Sequence, residues 1–213
     1  MKKILILASG SGSNAEAIVK NLSAKDVEIV IGHNVKNAGV TNRGLFVPCV
    51  HLPSPGKDFS VVTDYLEKHS FDLVVMAGYM RVWPPETLAA AGCPVINIHP
   101  SLLPKYKGSE DGYGDAFRNR DIESGCTVHL VTDDVDGGPA LAQLKFDIPL
   151  EARDDLAKLK EIGLAFEHIV YPAVIKKMLL GETINPADSL IAIRKKYGMQ
   201  GYSLSTPVNT MSF

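Results

Sequence analysis

Apolar runs of strand length recur through the first half of this chain, and most are separated from the next by a segment that can form a helix. The runs are Ile4–Ala8, Val27–Ile31, Val47–Leu52, Leu73–Ala77 and Val95–Ile98. They are nearly unbroken rather than alternating with polar residues. A strand of that kind is buried on both faces, which a parallel sheet covered by helices on each side provides. Helices are expected over Asn14–Leu22, where Ser13-Asn14-Ala15-Glu16 has capping-box spacing, over Val61–His69, and over Glu86–Ala91 behind Pro84-Pro85. The expected fold class is α/β: a Rossmann-like, mostly parallel twisted sheet with helices on both faces.

Beyond Ile98 the rhythm changes. Residues 99–112 hold Pro100, Pro104, Gly108 and Gly112 and read as a long loop, a feature more often functional than not in a folded domain. Thr127–Val131 and Leu141–Ile148 then read as antiparallel strands around the turn Asp133–Pro139. A long helix is expected next, with Leu156, Leu159, Gly163, Phe166, Val170 and Val174 at helical spacing and an end at Gly181. The mostly polar tail, 199–213, is expected to lack order.

With 213 residues, 46% hydrophobic and 22% charged, the chain suits one soluble domain or two small lobes. Lys plus Arg number 22 against 24 Asp plus Glu, a net charge of −2 that carries no footprint of a nucleic-acid or anionic-membrane binder. The 3 cysteines, Cys49, Cys93 and Cys126, fit neither a disulfide framework nor a zinc site and read as reduced core residues. The apolar start runs straight into a glycine-rich turn, too soon for a signal peptide. No stretch approaches the roughly eighteen apolar residues of a membrane span. A cytoplasmic protein without a metal is expected.

Ser9-Gly10-Ser11-Gly12-Ser13-Asn14-Ala15 lies where the first strand feeds the first helix. Glycine lets the backbone approach a ligand, and a helix N-terminus offers free N–H groups to an anion. Gly10-x-Gly12-x-x-Ala15 also satisfies the dinucleotide fingerprint, but that fingerprint needs an acidic residue about twenty positions on to bind the ribose. From Ile29 to Lys57 there is no Asp or Glu, although Arg43 could hold a 2′-phosphate instead. Ser11, Ser13 and Asn14 suit one terminal phosphate. A phosphomonoester site is therefore favoured over a dinucleotide site and over a tight turn with no ligand.

Asn97-Ile98-His99-Pro100 falls at the carboxyl end of the fifth expected strand, the edge where open α/β sheets bind ligands. Period two puts Asn97 and His99 on the same face. Asp136 in the later turn and His129 in the sixth strand complete a polar group. A lone histidine at a strand end is more often structural, but its neighbours favour chemistry. Asn and a protonated His both donate to an oxygen that acquires negative charge, and a carboxylate raises the imidazole pKa. No Ser or Cys stands in a nucleophile elbow, so the attacking group belongs to a substrate.

These segments, together with Ala77-Gly78-Tyr79-Met80-Arg81 and the block Asn97–Gly108, resemble the phosphoribosylglycinamide formyltransferases, folate-dependent enzymes of purine synthesis. The likeness runs in order from Lys3 to about Ala173. The Asn-x-His-Pro-Ser-Leu-Leu-Pro block is shared by the wider formyltransferase superfamily; the Gly-Ser-Gly-Ser-Asn loop narrows it. The resemblance implies that the glycinamide amine attacks the formyl carbon of 10-formyltetrahydrofolate, a co-substrate. Asn97 and His99 would stabilise the oxyanion, and Asp136 would hold His99 charged. Gly12, Ser13 and Asn14 match the ribotide phosphate site and Glu167 a carboxylate at the glycinamide end; Gly10 and Ser11 of the same loop are expected to bind the ribotide with them. Met80, Arg81 and Val82, with the loop Thr132–Asp136, match the folate site, where Asn97, Thr132, Asp133 and Asp134 are expected to make contacts. An arginine usual in that site has no counterpart, and Lys57 is the only basic residue nearby. Ser109–Phe117 lacks a histidine common in the family, holds an extra residue and is unusually acidic.

The resemblance implies one catalytic domain over 1–198, with a phosphate-binding half (1–98) and a folate and catalytic half (99–198). Small-molecule substrates are expected, with no nucleic acid or membrane partner, acting as a monomer or homodimer. A tRNA formyltransferase needs a further carboxyl-terminal domain, and too few residues follow Pro172 to build one. A formyltetrahydrofolate hydrolase would share Asn97, His99 and Asp136. A nucleotide- or NAD(P)-binding oxidoreductase would explain only the glycine loop.

Overall fold

The computed structural model describes residues 1–35, 39–181, 187–199 and 201–206. The chain divides into two units. The first is Met1–Asn97 with Leu130–Val135, and the second is Ile98–His129 with Asp136–Phe213.

The first unit carries β1 (Lys2–Ala8), α1 (Ser13–Asn21), β2 (Val27–His33), β3 (Cys49–His51), α2 (Ser60–Lys68), β4 (Leu73–Met76), α3 (Pro85–Ala90) and most of β5 (Val95–His99), with a 3-10 turn at Gly39–Asn42. The strands pair in the order β3-β2-β1-β4-β5, every pair parallel. Ile4 of β1 stands between Ile29 and Leu73, and Ile6 between Ile31 and Val75. Ile4, Leu5, Ile6, Leu7 and Ala8 are completely buried, as an unbroken apolar run in a central strand requires. Leu5, Leu7, Val62, Leu66, Val74, Met76, Tyr79 and Trp83 share one core, joining the β1–β4 surface to α2.

Strand order reverses between β1 and β4, so the loops leaving their carboxyl ends border the switch point where such sheets bind ligands. The two loops are joined there: Ser9 N–H donates to the Gly78 carbonyl at 3.1 Å, and Met80 N–H donates to Ser9 Oγ at 3.1 Å.

The second unit holds α4 (Gly112–Arg118), β6 (Glu123–Leu130), β7 (Ala140–Asp147), α5 (Leu156–Leu180), α6 (Ala187–Lys196) and β8 (Tyr202–Ser205), with a 3-10 turn at Leu150–Ala152. β6, β7 and β8 pair antiparallel in that order, with Cys126 opposite Leu144 and Leu144 opposite Leu204. α5 packs a buried face that includes Leu159, Phe166, Val170 and Val174, and the Phe166 ring stacks on Phe146 at 4.9 Å. It ends at Gly181, in the left-handed conformation at φ 71° that a helix C-terminus favours. The α/β class, with mostly parallel strands and antiparallel ones toward the C-terminal half, is thus the observed one.

The expected long loop after His99 is observed and ends where α4 begins at Gly112. Three expectations are corrected. The capping box at Ser13 does not form: Gly12 is the N-cap and Glu16 turns outward to pair with Lys20 and Arg43. Part of the tail is strand β8, held by β7 and by Tyr202 tilted against Phe166; the stretch 207–213 lies outside the described residues. Cys49 is exposed rather than in the core. Among the described residues no helix is long and apolar enough to cross a membrane.

Candidate active site

The glycine loop sits at the start of α1. Gly12 has φ 74°, and a Cβ placed on it would lie 2.6 Å from Val40 Cβ, so both conformation and space demand glycine. Gly10 and Ser11 are exposed, Ser13 is half-buried and Asn14 is buried in the first turn. The loop is braced by Arg43, which donates from Nε to the Ser11 carbonyl and pairs with Glu16. Arg43, the residue that could hold a 2′-phosphate, thus spends its Nε and Nη1 groups on bracing the loop.

Also in the first unit, Met80 and Val82 are 53% and 63% exposed on the loop after β4, an apolar pair flanking Arg81. The Arg81 guanidinium lies 5.3 Å from the Phe59 ring centroid and donates to the Gly56 carbonyl, which ties this loop to the segment before α2. Lys57 projects from that segment into solvent. Thr132 Oγ1 donates to the Asp134 carbonyl at 3.2 Å, leaving Asp133 and Asp134 exposed at the turn. Asn97 is half-buried on β5 opposite Met76, between buried Ile96 and Ile98.

In the second unit His99 and Asp136 meet. Asp136 Oδ2 lies 3.2 Å from His99 Nδ1, and Asp136 Oδ1 lies 3.5 Å from His129 Nε2. Gly108 N–H donates to Asp136 Oδ2 at 3.0 Å. Asp136 adopts φ 51°, a left-handed conformation that aspartate tolerates better than most residues. A register shift between Val128 and His129 precedes it; such a bulge re-aims the side chain beside it. The segment after His99 is pinned from below: Thr127 Oγ1 donates to the Ser101 carbonyl at 2.7 Å, and Gln143 Nε2 donates to the Leu103 carbonyl at 3.0 Å.

Both ring nitrogens of His99 face acceptors, since Nε2 lies 3.0 Å from the Tyr106 carbonyl oxygen. Either neutral tautomer donates to one acceptor and sets a lone pair against the other; only the imidazolium satisfies both. Burial acts the opposite way and more strongly. It pulls His99 below the ordinary imidazole value against the upward pull of Asp136 and the Tyr106 carbonyl. Asp136 and the Tyr106 carbonyl thus work against burial, in a setting that can receive a proton on either ring nitrogen. Asp136 ends below the usual carboxylate range. Burial works to raise it, but the His129 hydrogen bond, the nearby His99 charge and the Gly108 N–H together outweigh that.

Glu167 stands on the buried face of α5, 4% exposed, and accepts a hydrogen bond from Tyr113 Oη at 2.8 Å. Gly163 makes this possible, because a Cβ there would lie 2.2 Å from the Tyr113 ring. The acidic stretch Ser109–Phe117 is largely the start of α4: Asp111 caps it by accepting from Gly114 N–H at 3.1 Å, and Lys160 pairs with Asp111 at 3.0 Å. Acidic residues here serve the positive end of a helix. Tyr106, Tyr113 and Asp121 escape sequence reasoning, because their contacts run through a backbone carbonyl or across elements distant in the chain.

A model of the family described as formyl transferase matches residues 2–175. The phosphoribosylglycinamide formyltransferase of Bacillus subtilis is 35% identical over 192 residues, covering 84% of this chain and 95% of that protein. That of Haemophilus influenzae is 33% identical over 186 residues, covering 83% and 86%. The crystal structure of phosphoribosylglycinamide formyltransferase from Bacillus halodurans superposes with a TM-score of 0.76 at 35% identity, covering 84% of this chain and 96% of that one. The match spans the glycine loop, His99, Asp136 and Glu167 alike, and the chain belongs to the formyl transferase family.

Proposed function

We propose that this protein transfers the formyl group of 10-formyltetrahydrofolate to the amine of 5-phosphoribosylglycinamide, in the cytoplasm and without a metal. The observation that carries the reading is the His99–Asp136 pair at the carboxyl end of β5 in a formyl transferase chain. The amine nitrogen attacks the formyl carbon and forms the new C–N bond. The carbonyl electrons move onto oxygen, where the Asn97 amide donates and where the Nε2–H of a protonated His99, which faces the Tyr106 carbonyl in the free protein, turns to the oxyanion while Nδ1–H stays on Asp136. Asp136 supports the charge on His99 and, directly or through water, accepts the proton the amine loses. Collapse breaks the bond to the folate nitrogen, which leaves as tetrahydrofolate after taking a proton from His99.

Gly10, Ser11, Gly12, Ser13 and Asn14 would hold the ribotide phosphate through backbone N–H groups and polar side chains, and Glu167 would meet the glycinamide end. For the folate, exposed Met80 and Val82 suit a flat heterocycle, with Arg81 beside them and Thr132, Asp133, Asp134, Asn97 and Lys57 as polar contacts. Incubation with 10-formyltetrahydrofolate should release tetrahydrofolate only when the ribotide is present. Release that ignores the ribotide would identify a formyltetrahydrofolate hydrolase instead.

Asn14→Ala should raise KM for the ribotide by about 10-fold or more, the scale of one hydrogen bond to a charged group, while KM for the folate changes little. Equal changes in both would place the phosphate elsewhere.

A further inference from the structure

We propose that Asp121 and Tyr106 are positioning residues for His99, the Asp121 carboxylate holding the Tyr106 hydroxyl so that the Tyr106 carbonyl faces the second ring nitrogen. Tyr106 has φ 59°, a left-handed conformation costly for a bulky side chain and the kind of strain that persists only where the surroundings impose it. The imposing contacts are at hand. Tyr106 Oη donates to Asp121 Oδ2 at 2.8 Å, and Lys105 Nζ reaches the same oxygen at 2.6 Å. Lys105 Nζ also lies 5.0 Å from the Tyr106 ring centroid, and Ser101 Oγ donates to the Lys105 carbonyl. Asp121 is itself fixed, its N–H donating to the Ala116 carbonyl of α4 at 3.0 Å.

The strained backbone has one visible product. The Tyr106 carbonyl accepts from Ser109 N–H at 3.1 Å and presents its other lone pair to His99 Nε2 at 3.0 Å. The Lys105 side chain is 52% exposed, and an ion pair with one partner that open to solvent contributes little to stability, so support for this carbonyl is a better account of the arrangement. The carbonyl favours a proton on Nε2 while Asp136 favours one on Nδ1, and together they stabilise the doubly protonated ring. The other titratable groups acting on His99 are His129 of β6, which opposes its charge, and Asp115 of α4, which favours it.

The kinetic part rests on the proposed role of His99 in formyl transfer; the positioning itself does not. The test is a pH titration of His99 by NMR on histidine-labelled protein, with its signal assigned by its loss in His99→Gln, alongside steady-state rates. Tyr106→Phe keeps the ring and changes no charge. It should lower the His99 titration midpoint by about half a pH unit to one pH unit and kcat by about tenfold, the worth of one hydrogen bond, with both KM values within about twofold. Asp121→Ala should do the same, and Asp121→Asn, which can still accept from the hydroxyl, should restore most of the effect. An unmoved titration in both Tyr106→Phe and Asp121→Ala, with the melting curve intact, overturns the proposal. A moved titration with unchanged kcat confirms the positioning and instead removes His99 from the transfer step.

Discussion

Asp136→Asn should lower kcat/KM for formyl transfer by about 10²–10⁴-fold, the range lost when a positioned acid–base group is removed. Folding should survive: asparagine accepts the left-handed φ of 51° as readily as aspartate, and its amide oxygen can still take the Gly108 N–H. The thermal midpoint should stay within about 4 °C, the equivalent of roughly 1 kcal/mol in a chain of this size. The pH dependence carries the sharper signature. Burial already holds His99 below its ordinary value, and Asp136 is the foremost influence pulling it back up. Removing the carboxylate lowers the imidazole pKa further, so whatever activity remains should depend on a proton taken up at lower pH than in the wild type. Rates measured across the pH range decide it. A variant at wild-type rate, or one whose profile keeps its shape and position, removes Asp136 from the proposed mechanism.

The parallel half of the fold is legible in the sequence for one physical reason. β1, β2, β4 and β5 are buried on both faces, so each writes itself as an apolar run, and the glycine loop and α3 carry turn and proline signals of their own. The elements that escape are stabilised by partners rather than by their own residues. α4 spans seven residues with Gly112 and Gly114 among them, a poor helix in isolation. It stands because Asp111 caps it and the Tyr113 ring fits over Gly163. β8 is a short polar-apolar alternation that gains its pairing from β7. Asn97, His99, His129 and Asp136 can be read as residue types at strand ends and a turn. The Tyr106 carbonyl cannot, since every residue has a carbonyl and only the conformation at Tyr106 turns this one toward His99. Nor can the direction of the His99 shift be read from types alone: a motif suggests that Asp136 is near, but not the depth of burial that pulls the imidazole below its ordinary value.

Asn97→Ala should lower kcat by about 10²–10³-fold, the usual loss of one oxyanion donor, and should do so almost equally at every pH. The amide does not titrate, so its removal scales the rate without reshaping the profile, whereas Asp136→Asn does both. Position supports the assignment: the residue is half-buried on β5, two positions before His99 on the same strand. The double variant Asn97→Ala with Asp136→Asn then tests whether the two act on one transition state. If Asn97 donates to the same oxyanion that His99 meets with Asp136 behind it, losing either support cripples a shared step, and the second loss adds less than it costs alone. The combined effect should therefore fall short of the product of the two single effects by tenfold or more (roughly the coupling energy of residues in one network). Strictly multiplicative losses would mean that Asn97 and the His99–Asp136 pair act on separate steps, and the single tetrahedral intermediate proposed for this enzyme would need to be redrawn.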